Sequence, residues 1–412
     1  MSANGANSPI GAGVGALRNL TGLGLGLAAA GLTAAAGMAA DRLSHDRRLA
    51  LALDEQGGRR RTTSYDDVPD HEHIVLASDG VPLHVEVDDP RPVGGQGDDD
   101  GVRPTVVFSH GYCLSLRCWV FQRRALREAG YRVVLWDQRG HGRSGTGEPD
   151  SYDIDQLGRD LREVLHAVVP EGPVVLVGHS MGGMTMMALG LDFPELVRER
   201  VVGAAFVATS TGGLSTVSYG LGAAAGKAVH VFGPAAAGRL ARLQGAVDGT
   251  VRAGKDVMNF FVDWGSFGSP VPMSIAELTT DMIFSTRMEV ISAFMPHFDR
   301  HDKREALAHF RGVESLVING TSDKLTPPAH SDEIVRLLPG AEHVLVEDAG
   351  HVIMLEHPEV LNEQLMALVE RARRGVHLHP LDGSEKSVPV RLVDMAHRRS
   401  AREASRRLRS RH

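Results

Sequence analysis

Short apolar runs rich in valine alternate along the chain with stretches of helical periodicity. The runs occupy 105–110, 132–137, 174–179, 201–208, 314–320 and 343–348, and the helical patterns occupy 117–129, 154–168, 181–192, 329–338 and 358–373. Continuous apolar runs of this length are typical of strands in a parallel sheet that is buried on both faces. The alternation predicts an α/β fold with a mostly parallel, doubly wound sheet, whose active groups lie at the carboxyl ends of the strands.

Two further stretches complete the predicted body. Residues 73–87 predict two short strands around a turn at Asp79-Gly80. The interval 209–312 breaks the alternation and has helical character, and a connection of that length needs structure of its own. We therefore predict an α/β core formed by 73–208 and 313–372, with a helical cap at 209–312 inserted between its two parts.

The chain begins with a Gly/Ala-rich segment, residues 1–52, followed by a polar linker at 53–72. Within it, residues 19–40 carry no charge over 22 positions, a length that can span a bilayer. We predict a single N-terminal membrane anchor there, with the body on the cytoplasmic side because arginines follow the span. A secretory signal and an extension of a soluble protein are the alternatives.

Composition and charge restrict the classes of partner. Apolar residues make up 42% and charged residues 23% of the chain, as in globular proteins, and two cysteines are too few for a disulfide scaffold. The net charge of −7 is uneven: residues 371–412 hold 12 Lys or Arg against 4 Asp or Glu, while 51–370 is strongly acidic. An acidic body repels phosphate backbones, which argues against a nucleic-acid partner and favours a small lipophilic substrate. The basic C-terminal tail, 373–412, is either solvated or a second contact with an anionic membrane surface.

The strongest chemical signal is a serine in a glycine-bounded turn, Gly178-His179-Ser180-Met181-Gly182. It follows a predicted strand and precedes a predicted helix. A sharp turn of this kind strains the serine backbone and requires glycines two residues before and after it, because side chains there would clash with neighbouring elements. The turn exposes the hydroxyl at the sheet edge, and the N–H of Met181 at the helix N-terminus can stabilise an oxyanion.

A serine nucleophile needs a base, and the base needs an acid that orients it. His351 follows the last predicted strand, and Asp323 follows the strand at 314–320. Position at the carboxyl edge and the chain order of nucleophile, acid and histidine select this pair. Asp348 is the alternative acid, whereas His179 lies in the tight turn and is interpreted as structural.

A second oxyanion donor is predicted at His110-Gly111-Tyr112, which follows the strand at 105–110. Gly111 allows a close backbone approach, and the N–H of Tyr112 would act beside that of Met181. Packing of Tyr112 in the core is the alternative. Cys113 and Cys118 are interpreted as packing residues.

From about residue 73 to 372 the chain resembles the α/β-hydrolase fold superfamily, in its esterase, lipase and haloperoxidase-like branch. The resemblance is carried by HGYC at 110–113, WDQRGHGRS at 136–144, GHSMGG at 178–183, GTSDKLTP at 320–327 and DAGHVIMLEHP at 348–358. It implies a Ser180–His351–Asp323 triad, supported by Asp137 and the turn at 139–142. It also argues against dehalogenases and epoxide hydrolases, which have aspartate in place of the serine.

These features together predict a serine hydrolase that cleaves carboxylic esters of lipophilic acyl groups and needs no cofactor. An acyltransferase, a perhydrolase or haloperoxidase-like activity, and a membrane-tethered lipid-binding protein with an idle triad are the alternatives. Apolar residues of the cap either line an acyl pocket or form simple core; they are Met258, Phe260, Phe261, Trp264, Met282, Phe284, Phe294 and Met295. His297 and His301 have the spacing of metal ligands on a helix but lack a third ligand.

Overall fold

A computed structural model of the protein describes residues 65–91, 102–216, 262, 265–375 and 391–393. Nine strands form one sheet within these ranges, in the order β1-β2-β4-β3-β5-β6-β7-β8-β9. The strands are β1 His71–Leu76, β2 Pro82–Asp88, β3 Thr105–Ser109, β4 Val133–Trp136, β5 Val174–His179, β6 Val201–Val207, β7 Glu314–Gly320, β8 Glu342–Val346 and β9 Arg391–Val393.

The sheet is antiparallel at one edge and parallel elsewhere. β1 and β2 form the predicted hairpin, with Leu76 opposite Pro82, and β2 pairs antiparallel with β4. All pairs from β4 through β3 to β9 are parallel. The carboxyl ends of β3 to β9 therefore lie along one edge, which is where the predicted site residues follow their strands.

Helices follow the parallel strands and cover the sheet. They are α1 Val120–Glu128, α2 Ile154–Val168, α3 Met181–Asp192, α4 Pro194–Arg200, α5 Met273–Ser285, α6 Met288–Arg300, α7 Pro328–Leu337, α8 Ile353–Glu356 and α9 Pro358–Gly375. Helix α2 begins at a capping residue, because the Asp153 side chain accepts a hydrogen bond of 2.6 Å from the Gln156 N–H.

The core lies on both faces of the sheet. Successive side chains of a strand point to opposite faces. In β3, accordingly, Val106 and Phe108 belong to one buried cluster with Trp119, whereas Val107 packs in another with Met186. Burial on both faces explains why these strands are continuous apolar runs rather than alternating ones.

The predicted fold class is confirmed, and the six predicted strands and five predicted helices occur within a few residues of their expected bounds. Helices α4 and α8 and strand β9 were not predicted. Two predicted boundaries are wrong, since β1 begins at His71 inside the predicted linker, and β9 extends the sheet inside the predicted tail by pairing with β8. In both cases strand pairing gives hydrogen-bond partners to backbone groups. In a linker or a solvated tail the same groups would bond to water.

The structure describes part of the predicted cap and none of the predicted anchor. Helices α5 and α6 lie between β6 and β7, while residues 217–261 of the cap interval fall outside the described residues. Residues 19–40 and most of 373–412 also fall outside them. Among the helices in the ranges given above, none has the length and apolar character needed to cross a membrane.

Candidate active site

Backbone strain is concentrated at the carboxyl edge of the sheet. The non-glycine residues with left-handed φ among those described are Cys113 (59°), Ser180 (51°), Ala208 (45°) and Asp348 (59°). They follow β3, β5, β6 and β8 in turn. Strained conformations of this kind persist where surrounding structure enforces them, and they cluster at functional sites.

Ser180 occupies the predicted turn between β5 and α3, with φ 51° and ψ −116°. Its N–H donates to the Val207 carbonyl (3.0 Å), and its carbonyl accepts from the Gly183 N–H (3.0 Å) and the Thr209 hydroxyl (2.6 Å). These bonds hold the strained residue from both strand and helix. Met181 is the first residue of α3, so its N–H has no hydrogen-bond partner within the helix. This N–H lies next to Ser180.

The glycines on either side of Ser180 are required by close backbone contacts. A Cβ on Gly182 would lie 2.1 Å from the Ser109 oxygen, and one on Gly178 would lie 2.5 Å from the Gly182 oxygen. Both distances are far below a van der Waals contact. Glycine at 182 therefore allows the turn to pack against the end of β3, and glycine at 178 allows β5 to pack against the start of α3.

His351 and Asp323 form a buried pair at the same edge. His351 Nδ1 lies 2.9 Å from Asp323 Oδ2. Asp323 Oδ1 also accepts the N–H groups of Leu325 (2.8 Å) and Thr326 (2.9 Å), which fix the carboxylate. Because a carboxylate only accepts, Nδ1 carries the proton, and Nε2 of His351 is left as the acceptor.

Asp348, the alternative acid, stands apart from this pair. It is exposed, and its N–H donates to the Thr321 hydroxyl (3.0 Å). Of the two carboxylates, that of Asp323 is therefore the one beside the His351 ring.

Two contacts to this pair were missed by sequence reasoning. The Thr326 hydroxyl donates to Asp323 Oδ2 (2.8 Å) and lies 3.3 Å from His351 Nδ1. His179, interpreted as structural, donates from Nε2 to the His351 carbonyl (2.9 Å), and burial lowers the pKa of His179, which keeps it neutral. A threonine three residues after the acid is a signal for the first contact, whereas no local pattern reveals a contact between residues 172 positions apart.

The predicted oxyanion loop lies beside Ser180. A Cβ on Gly111 would be 3.2 Å from Ser180 Cβ and 2.5 Å from His179 Nδ1, so only glycine permits this approach. The buried His110 donates from Nδ1 to the Gly111 carbonyl (2.7 Å) and accepts the Gln138 N–H at Nε2 (2.9 Å). Because C=O and N–H of a trans peptide point in opposite directions, this bond turns the Tyr112 N–H away from His110. Burial lowers the pKa of His110 despite the nearby Asp137, which keeps this neutral bonding pattern.

The buried Asp137 supports the predicted oxyanion loop through hydrogen bonds to neighbouring backbone. Its carboxylate accepts the N–H groups of Leu116 (2.8 Å) and Arg143 (2.8 Å), and His84 Nδ1 lies 3.2 Å away. Burial alone would raise the pKa of Asp137, but the His84 hydrogen bond, His110 and the two N–H groups outweigh it, and the pKa is lowered. The carboxylate therefore joins Leu116, which follows the predicted oxyanion loop, to Arg143, which directly follows the turn at 139–142.

The side chains of Tyr112 and the cysteines have other roles. The Tyr112 hydroxyl donates to the Ile291 carbonyl of α6 (2.6 Å), and its ring packs 4.9 Å from that of Phe298. Burial raises the pKa of the Cys113 thiol to about 12 and that of Cys118 well above its ordinary value. Both thiols therefore stay protonated at neutral pH, which fits packing residues rather than nucleophiles.

A cavity of about 410 Å³ lies over Ser180 and His351. The side chains around it are mostly apolar; its lining comprises Tyr112, Cys113, Leu114, His179, Ser180, Met184, Leu214, Ser266, Ile283, Met295, Phe298, Asp299, Leu325, Thr326, His351 and Val352. Helices α5 and α6 contribute Ile283, Met295 and Phe298. A mostly apolar cavity with a few convergent polar groups is typical of a small-molecule site.

The predicted pocket residues of the cap have mixed positions. Met295 lines the cavity, Met282 and Phe294 are core residues, and Phe284 is 52% exposed. The remaining four, Met258, Phe260, Phe261 and Trp264, lie outside the described residues. His301 donates from Nε2 to the Ser210 carbonyl (3.0 Å), and the part of the chain that the structure describes contains no cluster of metal-ligating side chains.

Comparisons with known proteins agree on the fold and differ in the reaction. The family model for the alpha/beta hydrolase fold matches residues 104–358. The sn-1-specific diacylglycerol lipase ABHD11 of Mus musculus is 29% identical over 64% of this chain and 80% of its own length. A 2-hydroxy-6-oxononadienedioate/2-hydroxy-6-oxononatrienedioate hydrolase of Escherichia coli is 26% identical over 67% of this chain and 89% of its own. A putative carbamate hydrolase, RutD, of Variovorax paradoxus is 38% identical, but over only 30% of this chain and 42% of its own length.

Solved structures share the architecture. The esterase RhEst1 from Rhodococcus superposes with a TM-score of 0.55 at 21% identity, covering 73% of this chain and 98% of that one. The enol-lactonase from Burkholderia xenovorans gives a TM-score of 0.54 at 23% identity, over 72% and 100% of the two chains. The family match extends over more than half of the chain and includes Ser180, Asp323 and His351. The protein therefore belongs to the alpha/beta hydrolase fold family.

Proposed function

We propose that this protein is a serine hydrolase that cleaves carboxylic esters of lipophilic acyl groups through an acyl-enzyme. The observation that carries the proposal is the meeting, in one cavity, of a strained Ser180 with His351, whose Nδ1 lies 2.9 Å from Asp323. A serine next to a histidine oriented by a buried carboxylate is the arrangement that activates a hydroxyl.

The residues suggest a two-step reaction. Nε2 of His351 takes the Ser180 proton as Oγ attacks the ester carbonyl, and the Met181 and Tyr112 N–H groups stabilise the oxyanion. Collapse breaks the C–O bond and releases the alcohol, which takes the proton from His351. Water, deprotonated by the same nitrogen, then attacks the acyl-enzyme; the bond between the acyl carbon and Oγ breaks, His351 returns the proton to Ser180 Oγ, and the acid is released. Asp323 keeps Nδ1 protonated in both steps and stabilises the imidazolium.

The cavity lining supports a lipophilic acyl group. Leu214, Ile283, Met295 and Phe298 offer apolar surface, and burying apolar area contributes roughly 25 cal/mol per Å². A relative named as a diacylglycerol lipase is consistent with a substrate of this kind.

The test is stoichiometric labelling by a fluorophosphonate, read by intact mass, together with hydrolysis of p-nitrophenyl esters of increasing acyl length. We expect wild type to label once, and Ser180→Ala to fold normally, not to label and to lose turnover. Ser266→Ala removes another serine of the cavity lining and is the matched control, which should still label. Undiminished labelling or turnover in Ser180→Ala would exclude Ser180 as the nucleophile.

Adding acyl acceptors to the ester assay separates the competing activities. An acetyltransferase component from Pseudomonas putida is 26% identical over 68% of this chain, so acyl transfer to an acceptor other than water is the second candidate. Added alcohols or thiols that divert the acyl group into a new ester or thioester would favour it. A folded protein that retains a tight lipid without labelling would favour the binding protein with an idle triad.

Association with a membrane through residues 19–40 and the basic tail 373–412 stays a prediction. Flotation of the full-length chain with vesicles containing anionic lipid, compared with neutral vesicles, tests both segments. We expect an anchor to float in either case and a basic tail to float only with the anionic vesicles.

A further inference from the structure

Glu356 is a buried carboxylate that the proposed reaction does not use. It is the last residue of α8, five positions after His351, and its side chain is 0% exposed. Burying a carboxylate is unfavourable unless several donors compensate for the lost water. The groups that bond to Glu356 therefore indicate which parts of the structure it holds in place.

The hydrogen-bond donors to Glu356 come from two separate segments, and the ring of the adjacent His357 lies 3.5 Å from Oε1. Oε2 accepts the Gly350 N–H (2.7 Å), directly before the proposed base. Oε1 accepts the N–H (2.6 Å) and the hydroxyl (2.7 Å) of Ser269, and the Gly268 N–H lies 3.1 Å away. One carboxylate thus joins the histidine loop, residues 348–352, to the segment 266–269 that leads into α5.

The two segments also contact each other directly. The Val352 N–H donates to the Ser266 carbonyl (2.9 Å), so hydrogen bonds flank His351 on both sides. A Cβ on Gly350 would lie 2.5 Å from the Gly268 nitrogen, and one on Gly268 would lie 2.5 Å from the Asp348 oxygen. With the backbones this close, N–H groups of both segments reach the Glu356 oxygens.

We propose that Glu356 is a positioning residue that couples the segment entering the pocket helices to the loop of the catalytic histidine. Through Gly350 it fixes where the His351 backbone stands, and through Gly268 and Ser269 it fixes the start of α5, which carries Ile283 into the cavity. This inference rests on the proposed role of His351 as the base. It assigns to Glu356 the alignment of base and pocket, with no contact to the reacting atoms.

The proposal depends on the carboxylate rather than on side-chain volume. Glu356→Gln has nearly the same shape, but its amide NH₂ would face N–H donors and leave at least one of them unpaired. The histidine loop would then lose a fixed point, and a displacement of about 1 Å of a catalytic group can reduce the rate by about a hundredfold.

The experiment compares wild type with Glu356→Gln, Ser269→Ala and Asp88→Asn. Ser269→Ala removes one donor and keeps the carboxylate, so it tests the same network in a milder form. Asp88→Asn is the matched control, because Asp88 is also a buried carboxylate, bonded by Arg123 in the antiparallel part of the sheet. For each protein, kcat and KM for a short p-nitrophenyl ester, the rate of fluorophosphonate labelling and amide hydrogen exchange are measured.

We expect Glu356→Gln to lower kcat and the labelling rate by about tenfold or more, with KM changed by less than about threefold. Exchange should accelerate together in 266–269 and 348–352, and Ser269→Ala should move the same quantities less. Asp88→Asn should lower stability without this split between kcat and KM. A kcat within twofold of wild type in Glu356→Gln, or faster exchange in only one segment, would overturn the proposal.

Failure of the proposed function gives a different result. A wild-type protein that neither labels nor hydrolyses esters refutes Ser180 and His351 as a working pair. In that case unchanged exchange in Glu356→Gln refutes the coupling as well, whereas faster exchange in both segments retains it as a structural coupling alone.

Discussion

At the scale of single residues, the site depends on how completely His351 is held. Its Nδ1 faces Asp323, its carbonyl accepts from His179, and its neighbours Gly350 and Val352 donate to Glu356 and Ser266. With Nδ1 protonated, these contacts on the ring and on both flanking peptides leave the lone pair of Nε2 to accept a proton. In its proposed role as the base, a histidine held in this way needs little reorganisation when the proton moves.

Asp323→Asn tests the orientation of that ring. The asparagine amide has one carbonyl oxygen in place of two carboxylate oxygens. That oxygen can face either the Leu325 and Thr326 N–H groups or His351, but not both. If NH₂ faces Nδ1, the imidazole adopts the other tautomer and Nε2 carries the proton. We expect kcat for ester hydrolysis to fall about 10³- to 10⁴-fold with little change in stability, measured by turnover and by chemical unfolding. Asp348→Asn is the control and should retain activity, and an equal loss in both variants would contradict the assignment.

The residue types that could be predicted from sequence are those with a local signature. Ser180 is marked by its glycines, and Asp323 and His351 by their places after strands. Glu356 has no such signature, because the donors that explain it lie up to 88 positions away. Its hydrogen bonds exist only once the pocket helices and the histidine loop are folded together.

At the scale of elements, helix α6 is tied to the predicted oxyanion loop one turn before a proline. Pro296 lies inside α6 and has no N–H to donate to the Ser292 carbonyl. The carbonyl of Ile291, which lies in the turn before Pro296, accepts the Tyr112 hydroxyl (2.6 Å). The residue proposed to supply an oxyanion N–H thus also fixes the helix that carries Met295 and Phe298.

Tyr112→Phe removes this tether and keeps both the ring and the main-chain N–H. We expect stability to fall by about 1 kcal/mol, the net contribution of one hydrogen bond. We also expect KM to rise more for long acyl esters than for short ones, since the long chains contact α6. The measurements are urea unfolding and KM across a series of acyl lengths. A uniform change in KM at all lengths would show that α6 is positioned without the hydroxyl.

Elements were predictable in proportion to their length and periodicity. Helix α3 at Met181–Asp192 and strand β5 at Val174–His179 match their apolar patterns residue for residue. Strand β9 has three residues, too few to show a period, and depends on pairing with β8. Helix α4 begins directly after α3 at Pro194, where a proline marks a boundary without indicating that a new helix follows.

At the scale of the whole molecule, folding buries several histidines in their neutral form. Burial lowers the pKa of His110, His141 and His179 at the site and of His301 beside it, and each donates one ring N–H to a main-chain carbonyl. A protonated ring in these places would lose more hydration than nearby carboxylates, such as Asp137 beside His110, compensate. The folded protein therefore resists protonation of groups that titrate freely once it unfolds.

This resistance predicts a loss of stability in acid. The folded pKa of His301 is lowered to about 4, below its ordinary value of 6.5, because the ring is buried. Between these two values the unfolded chain binds a proton that the folded protein does not, so the free energy of unfolding falls as the pH falls. The contribution of one such histidine is at most about 1.4 kcal/mol per pH unit, and it is absent above the unfolded pKa.

His301→Gln isolates that contribution. The glutamine amide can donate to the Ser210 carbonyl in place of Nε2 and does not titrate. We expect urea unfolding curves of the variant and the wild type to change in parallel above a pH of about 6.5 and to diverge below it, with the wild type losing stability more steeply down to a pH of about 4. The region above 6.5 is the internal control, since any loss of packing in the variant displaces the curve there without changing its slope. Equal slopes in acid would mean that His301 takes up its proton while the protein is still folded, and the acid sensitivity would then have to come from the histidines around Ser180.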